Sequence, residues 1–155
     1  MKKVYSPGME EIKKLREATS AGVMDCRQAL QDNGGDMKKA EEWLRKKGVQ
    51  RAEKKADRVV KAGTVFSYVH HTGRIGCMVA LACETDFVAK TEEFQKLGRE
   101  LAIQAAGTQP EDVKEFLQQD YLRESGKKLE ELIKETIGKL GENIQVLEIR
   151  IVKIQ

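Results

Sequence analysis

The most chemically informative stretch is residues 83–90 (CETDFVAK), where an acidic and an aromatic side chain are neighbours. A strand-like run precedes the stretch and a helix-like run follows it, so Asp86 and Phe87 fall on a connection. A phenylalanine exposed on a connection is suited to insertion into another protein, and the adjacent carboxylate adds a charge. In the alternative interpretation, Phe87 packs beneath its own helix while Asp86 caps that helix.

No other group of residues indicates catalysis or cofactor binding. His70 and His71 are the only histidines, and on a strand they would point to opposite faces, away from any shared metal. The chain has no glycine-rich phosphate-binding motif and no recognisable nucleophile with a partner histidine. Three cysteines (Cys26, Cys77 and Cys83), without a Cys-x-x-Cys motif, favour a reducing cytoplasm. We therefore expect a binding protein that is not an enzyme and has no cofactor or metal.

Two strands before this stretch and a helix after it must hold it in place. Residues 65–70 alternate in polarity and residues 75–83 form a more apolar run, which together predict a β-hairpin. Thr91, followed by two glutamates, predicts the start of a helix. Residues 144–154 predict a third strand, with Leu147, Ile149 and Ile151 alternating with Glu148, Arg150 and Val152. The pattern predicts an α+β domain with a three-stranded antiparallel sheet and helices on one face.

The first 50 residues have the periodicity of three short helices. Asp36 is placed to cap the third helix, and Gly48 follows a basic turn that predicts its end. The charged stretch that follows has few and small apolar residues and predicts a linker helix. We therefore divide the chain into a three-helix domain at 1–50, a linker helix at 51–62 and an α+β domain at 63–155.

Composition and charge narrow the class of protein further. The 155 residues are 40% hydrophobic and 34% charged with a net charge of +3, and no apolar run is long enough to span a membrane. We expect a cytoplasmic protein that binds no membrane. The basic stretch 51–61 is most simply a solvated face; contact with RNA is the alternative, although no aromatic side chains are interleaved for base stacking. A three-stranded sheet also leaves two edges and one face open, which predicts a homodimer.

Two long motifs resemble the signatures of the bacterial elongation factor Ts family. Residues 15–30 (LREATSAGVMDCRQAL) resemble the first signature, and residues 44–48 (LRKKG) continue that pattern. Residues 83–88 (CETDFV) resemble the second signature. The motifs occur in the family's order, and the resemblance covers essentially the whole chain, in the short form of the family with a single copy of the core.

The resemblance implies a nucleotide-exchange factor for elongation factor Tu, acting on the GDP-bound and nucleotide-free forms without direct contact with nucleic acid. It also implies a ubiquitin-associated-type three-helix domain, a linker helix and an α+β dimerisation domain. Four residues match the motif that binds the partner and displaces Mg²⁺: Thr85, Asp86, Phe87 and Val88. Five residues match the region that docks on the partner's G domain: Arg16, Val23, Met24, Asp25 and Arg27.

Two positions depart from the family pattern. Ser20 stands where the family usually has glycine, and a positive φ there would cost a serine about 1 kcal/mol. Ala82 replaces a common asparagine and lacks the side-chain hydrogen bond that an asparagine would offer to the loop. Two other functions stay open: an adaptor that binds a helix through Val23 and Met24, with the 85–88 turn merely structural, and an RNA-associated translation protein. An adaptor would tolerate loss of the Phe87 ring, whereas an exchange factor would not.

Overall fold

The computed structural model describes residues 5–155, which form seven helices and three strands. Residues 1–4, part of the predicted first domain, lie outside the described residues. Within residues 5–155, no helix combines the length and the hydrophobicity needed to cross a bilayer. The elements in chain order are α1 (Met9–Thr19), α2 (Val23–Asp32), α3 (Met37–Glu53), β1 (Ala62–Val69), β2 (Ile75–Cys83), α4 (Asp86–Ala89), α5 (Glu92–Thr108), α6 (Val113–Gln118), α7 (Leu129–Leu140) and β3 (Ile144–Lys153).

Helices α1 to α3 form a bundle around a small core of their own. Leu15, Cys26 and Leu30 are fully buried in this core, and Trp43 packs against its edge. The Asp36 carboxylate accepts a hydrogen bond from the backbone N–H of the residue three positions later, at 3.1 Å, so it caps α3 as predicted. The three-helix prediction is confirmed.

Helix α3 is longer than the sequence predicted, and no separate linker helix follows it. The helix continues through Gly48 to Glu53, and turns then lead into β1 at Ala62. The predicted helix end at Gly48 and the linker helix over 51–62 are therefore wrong. The physical reason is tertiary packing, because Gly48 lies against α7 and Ala52 is buried in the core of the sheet domain.

The crossing of α3 over α7 joins the bundle to the sheet domain at close range. A Cβ atom on Gly138 would lie 2.8 Å from the Cα atom of Gly48, so the two backbones meet with no room for a side chain at position 138. Beside the crossing, the buried Lys127 ammonium lies 2.8 Å from the Glu135 carboxylate, and the Arg45 guanidinium lies 3.6 Å from the same group. The contact between Gly48 and Gly138 and the pair of Arg45 with Glu135 hold the bundle against α7.

The three strands form one antiparallel sheet in the order β1-β2-β3. Helices α5 and α7 pack on one face of it, which confirms the predicted α+β arrangement. The Phe66 ring on β1 lies so close to Gly98 on α5 that a Cβ atom there would overlap it. The core between the sheet and the helices also contains Val79, Leu81 and Phe94.

The opposite face of the sheet has no helix over it among residues 5–155. Five apolar side chains are exposed there, and we call them the outer sheet face: Val65, Val69, Met78, Leu147 and Val152.

A β-bulge in β3 changes the predicted pattern of that strand. Ala80 pairs with Glu148 while the next residue, Leu81, pairs with Val146, so Leu147 has no partner across the ladder. Leu147 consequently joins the exposed face, although the alternating pattern had placed it in step with Ile149.

Candidate functional site

Phe87 projects from the surface at the beginning of the short helix α4. Its side chain is 82% exposed, and Asp86 beside it is exposed as well. The alternative in which Phe87 packs beneath its own helix is therefore wrong. Val88 and Ala89 occupy the inward face of the helix instead, and both are buried. We call residues 84–89 the Phe87 turn.

The side chains around Phe87 hold this turn by its two ends. Thr85, and not Asp86, caps α4, because its hydroxyl accepts a hydrogen bond from the Val88 N–H at 3.4 Å. The Thr91 hydroxyl donates to the Val88 carbonyl at 2.7 Å. Val88 was predicted to contact the partner, but its side chain is 4% exposed and packs in the core of the sheet domain. Val88 thus anchors the turn, and Thr85, Asp86 and Phe87 are its exposed side chains.

Glu142, which sequence reasoning missed, braces the turn from outside. One of its carboxylate oxygens accepts hydrogen bonds from the N–H groups of Glu84 and Thr85, at 3.1 and 3.0 Å. The other accepts the Thr85 hydroxyl proton, at 2.6 Å. Glu142 lies 57 positions after Thr85 in the chain, in the corner between α7 and β3, so no local pattern could have linked them.

A second hydrogen bond runs in the reverse direction between the same two segments. The Glu84 carboxylate accepts from the Asn143 backbone N–H at 2.7 Å. The buried Asn143 side chain in turn donates to the carbonyls of Ala56 and Arg58, at 3.2 and 2.8 Å. These contacts support the turn without the asparagine that Ala82 replaces.

The other predicted group of residues lies on the bundle, around the first turn of α2. Met24 is 72% exposed and Val23 is 44% exposed, so together they form a small apolar surface. Arg16 and Arg27 are exposed as well. This surface belongs to the bundle and the Phe87 turn to the sheet domain, so parts of the fold with different cores carry the two groups.

Asp25 is engaged inside the molecule rather than presented at the surface. Its carboxylate receives two hydrogen bonds from the Arg51 guanidinium, at 2.8 and 3.1 Å, and one from the Lys47 ammonium, at 2.9 Å. The bonds from Arg51, followed by that from Lys47, hold the pKa of Asp25 below its usual value. Asp25 therefore ties α2 to α3.

The two histidines lie together beyond β1, and two arginines of the basic stretch lie beside carboxylates. The rings of His70 and His71 lie with centroids 4.0 Å apart, so the prediction that they point to opposite faces is wrong, because β1 ends at Val69 and both residues lie beyond it. Across residues 5–155, no group of three or more metal-binding side chains is close enough to hold an ion. In the basic stretch, Arg51 is paired with Asp25, and Arg58 lies 3.6 Å from the Glu84 carboxylate.

Comparisons with known proteins point to one family. The family model described as elongation factor TS matches residues 84–155. The chain is 42% identical to an elongation factor Ts from Rippkaea orientalis, over 88% of this chain and 74% of that protein. It is 42% identical to one from Thermotoga petrophila, over 89% of this chain and 91% of that protein. It is also 46% identical to one from Aquifex aeolicus, over 89% of this chain but only 49% of that protein. The chain therefore belongs to the elongation factor Ts family and has its role in translation elongation.

Proposed function

We propose that this protein is a guanine nucleotide exchange factor that binds GDP-bound elongation factor Tu and promotes release of the GDP. The observation that carries the proposal is Phe87, a large aromatic side chain 82% exposed on a turn that is tethered at both ends. Exposing a phenylalanine to water is unfavourable for the isolated protein, and burial in a partner reverses that cost. The protein makes and breaks no bond of its own, so it is not an enzyme.

In this proposal the two exposed groups act in different ways. Met24 and Val23, with Arg16 and Arg27 around them, dock the bundle on the partner's G domain. Asp25 contributes indirectly, because its ion pairs with Arg51 and Lys47 hold α2 in place. Asp86 and Phe87 then enter beside the bound nucleotide.

An exchange factor must bind the nucleotide-free partner better than the GDP-bound one, because only such a difference weakens GDP binding. The Phe87 ring does this by separating elements of the G domain that hold the phosphates and Mg²⁺. The Asp86 carboxylate competes for groups around the Mg²⁺ ion, which ties the phosphates to the protein. Lowering the barrier to release by about 4 kcal/mol would speed it roughly 10³-fold.

The test is the release of a fluorescent GDP analogue from purified bacterial elongation factor Tu at fixed free Mg²⁺. We expect the unmutated protein to accelerate release strongly, Phe87→Ala to lose most of the acceleration and Asp86→Ala to lose part of it. No acceleration by the unmutated protein with a cognate partner would refute the proposal. Acceleration that survives Phe87→Ala would refute the role given to that ring, and binding without acceleration would favour the adaptor.

We also propose that two copies of the chain associate through the sheet domain, with residues 1–50 and 63–155 as separate domains and 51–62 as their connection. The outer sheet face supports this, because its five exposed apolar side chains are a costly surface for a monomer. The three buried, unpaired thiols fit the reducing cytoplasm as the site of action.

Sedimentation equilibrium tests the dimer: we expect Met78→Lys to shift the protein to monomer, whereas Lys13→Glu on α1, away from the sheet, leaves it dimeric. A monomeric unmutated protein would contradict the dimer.

A further inference from the structure

We propose that Glu142 is the positioning residue for Asp86 and Phe87, which it sets in place through Thr85 without touching a partner itself. The inference rests on the proposed exchange function. It starts from the hydrogen bonds that link the corner after α7 to the Phe87 turn across 57 positions of the chain.

The corner that carries Glu142 is itself well fixed. Gly141 ends α7 in a left-handed conformation, with φ of 79°, and its N–H donates to the Ile137 carbonyl. On the other side, Asn143 is 2% exposed and its side-chain amide holds the carbonyls of Ala56 and Arg58. Glu142 therefore lies between two fixed residues, Gly141 at the end of α7 and the buried Asn143.

The groups that Glu142 holds are those that a one-turn helix cannot satisfy by itself. The first N–H groups at a helix start have no partner inside the helix, and the N–H of the N-cap Thr85, together with the N–H of Glu84 before it, donates to the Glu142 carboxylate. Hydrogen bonds to an ionised carboxylate are stronger than those between neutral groups. Glu142 thus acts as an external cap supplied by a distant segment.

The Thr85 hydroxyl transmits this constraint to Phe87. The hydroxyl donates its proton to Glu142 and accepts a hydrogen bond from the Val88 N–H, so it is occupied in both directions. Val88 and Ala89 are buried on the inner side, which leaves the outer side of the turn to Asp86 and Phe87. Without Glu142, the two N–H groups and the hydroxyl would lose their acceptor, and the exposed ring would be free to fold back on the surface.

This role predicts which kinetic quantity changes. The docking surface around Met24 belongs to the bundle, which has its own core, so we expect removal of the brace to leave binding of the partner intact. Positioning of Phe87 acts at the step in which GDP is released. The rate of release at saturating factor should fall, whereas the concentration of factor that gives half of that rate should stay the same.

The experiment measures both quantities for Glu142→Ala, Glu142→Gln and the control Glu131→Ala, which removes a charge from an exposed position on α7. We expect Glu142→Ala to lower the saturating rate about tenfold, since small misplacements of an acting group cost large factors in rate. Glu142→Gln should keep it within about threefold, because its amide oxygen still accepts both N–H groups and its NH2 group can donate to the Thr85 hydroxyl in place of the bond that the hydroxyl donated. Glu131→Ala should behave like the unmutated protein.

A second comparison separates positioning from mere support of the fold. In the Phe87→Ala background, Glu142→Ala should lower the saturating rate by a smaller factor than in the unmutated protein, because only Asp86 is left for Glu142 to position. If Glu142→Ala unfolds the protein, Glu142→Asp gives the test, because it keeps the charge but shortens the side chain and withdraws the carboxylate from Glu84 and Thr85.

Three results would overturn the proposal: a normal saturating rate in Glu142→Ala, a loss in the Phe87→Ala background as large as in the unmutated protein, or a failure of glutamine to restore the rate. Each is distinct from failure of the exchange function itself, in which the unmutated protein would not accelerate release at all.

Discussion

The Phe87 turn and the start of α2 both expose a large apolar side chain, but the chain holds them in different ways. The turn has a side-chain cap from Thr85 and a carboxylate brace from Glu142. Helix α2 begins at Val23, its N-cap Gly22 supplies no side-chain cap, and Met24 lies in its first turn. Hydrogen bonds therefore fix the turn that carries Phe87, whereas no side-chain cap fixes the helix start that carries Met24.

That difference matches the two tasks in the proposed function. A docking surface needs apolar area and complementary charge, and it tolerates adjustment of its side chains. A side chain that must separate elements of a partner needs a backbone that is already held in the binding conformation. Such preorganisation lowers the cost of ordering the side chain on binding. The comparison predicts that damage to the two regions affects different steps.

The largest expected effect separates these steps directly. Phe87→Ala should lower the saturating rate of GDP release about a hundredfold, equivalent to about 2.7 kcal/mol, with little change in the half-saturating factor concentration. Met24→Ala should raise that concentration about fivefold and leave the saturating rate unchanged, because it removes contact area alone. Titrations of each variant against labelled elongation factor Tu measure both quantities. If both variants alter the same quantity, the two regions do not have separate roles.

The next effect concerns the crossing that joins the two regions. Gly138→Ala should destabilise the protein by about 2 kcal/mol, because the new Cβ atom would lie 2.8 Å from the Gly48 backbone. Gly48→Ala is the matched control, since its Cβ atom would lie at an ordinary 3.8 Å from Gly138. Thermal unfolding should therefore distinguish two alanines placed at the same crossing. Equal midpoints would mean that the helices separate easily and that the crossing does not fix the bundle.

A smaller effect tests whether Asp25 supports α2 or contacts the partner. Asp25→Asn should cost about 1 kcal/mol, because it weakens a bidentate pair with Arg51 and a pair with Lys47. Since folding lowers the pKa of Asp25, the ionised carboxylate stabilises the protein at neutral pH, and this contribution disappears as the pH falls below about 4. The variant's stability should therefore fall less steeply in acid. A change in half-saturating concentration with an unchanged unfolding midpoint would instead indicate direct contact.

Much of this arrangement follows from local sequence patterns, and the exceptions have physical causes. The hairpin and the caps Asp36 and Thr91 are each encoded by neighbouring residues, whereas the local pattern left the exposure of Phe87 open. The length of α3 and the exposure of Leu147 depend on packing against α7 and on a bulge in the ladder. Neither has a local signal, because both arise from segments far apart in the chain.

The candidate site divides in the same way. The motif with Asp86 and Phe87 is contiguous, so its chemistry is readable from residue types alone. The burial of Val88, the internal ion pairs of Asp25 and the brace from Glu142 are tertiary contacts. The motifs included Val88 and Asp25 but could not show that they support the site from inside, and no pattern pointed to Glu142.

The smallest expected effect has the opposite sign and concerns the residue before the docking surface. Ser20 ends α1 with φ of 56°, a left-handed conformation that disfavours a side chain, and it stands where the family usually has glycine. Ser20→Gly should therefore stabilise the protein by about 0.5 kcal/mol, since the relief of strain exceeds the added entropy of the unfolded chain. Ser20→Ala keeps the Cβ atom and should gain nothing. A higher unfolding midpoint for glycine alone, with an unchanged exchange rate, would attribute the cost to the backbone. An equal gain from alanine would attribute it to the hydroxyl, and the strain at this position would then be negligible.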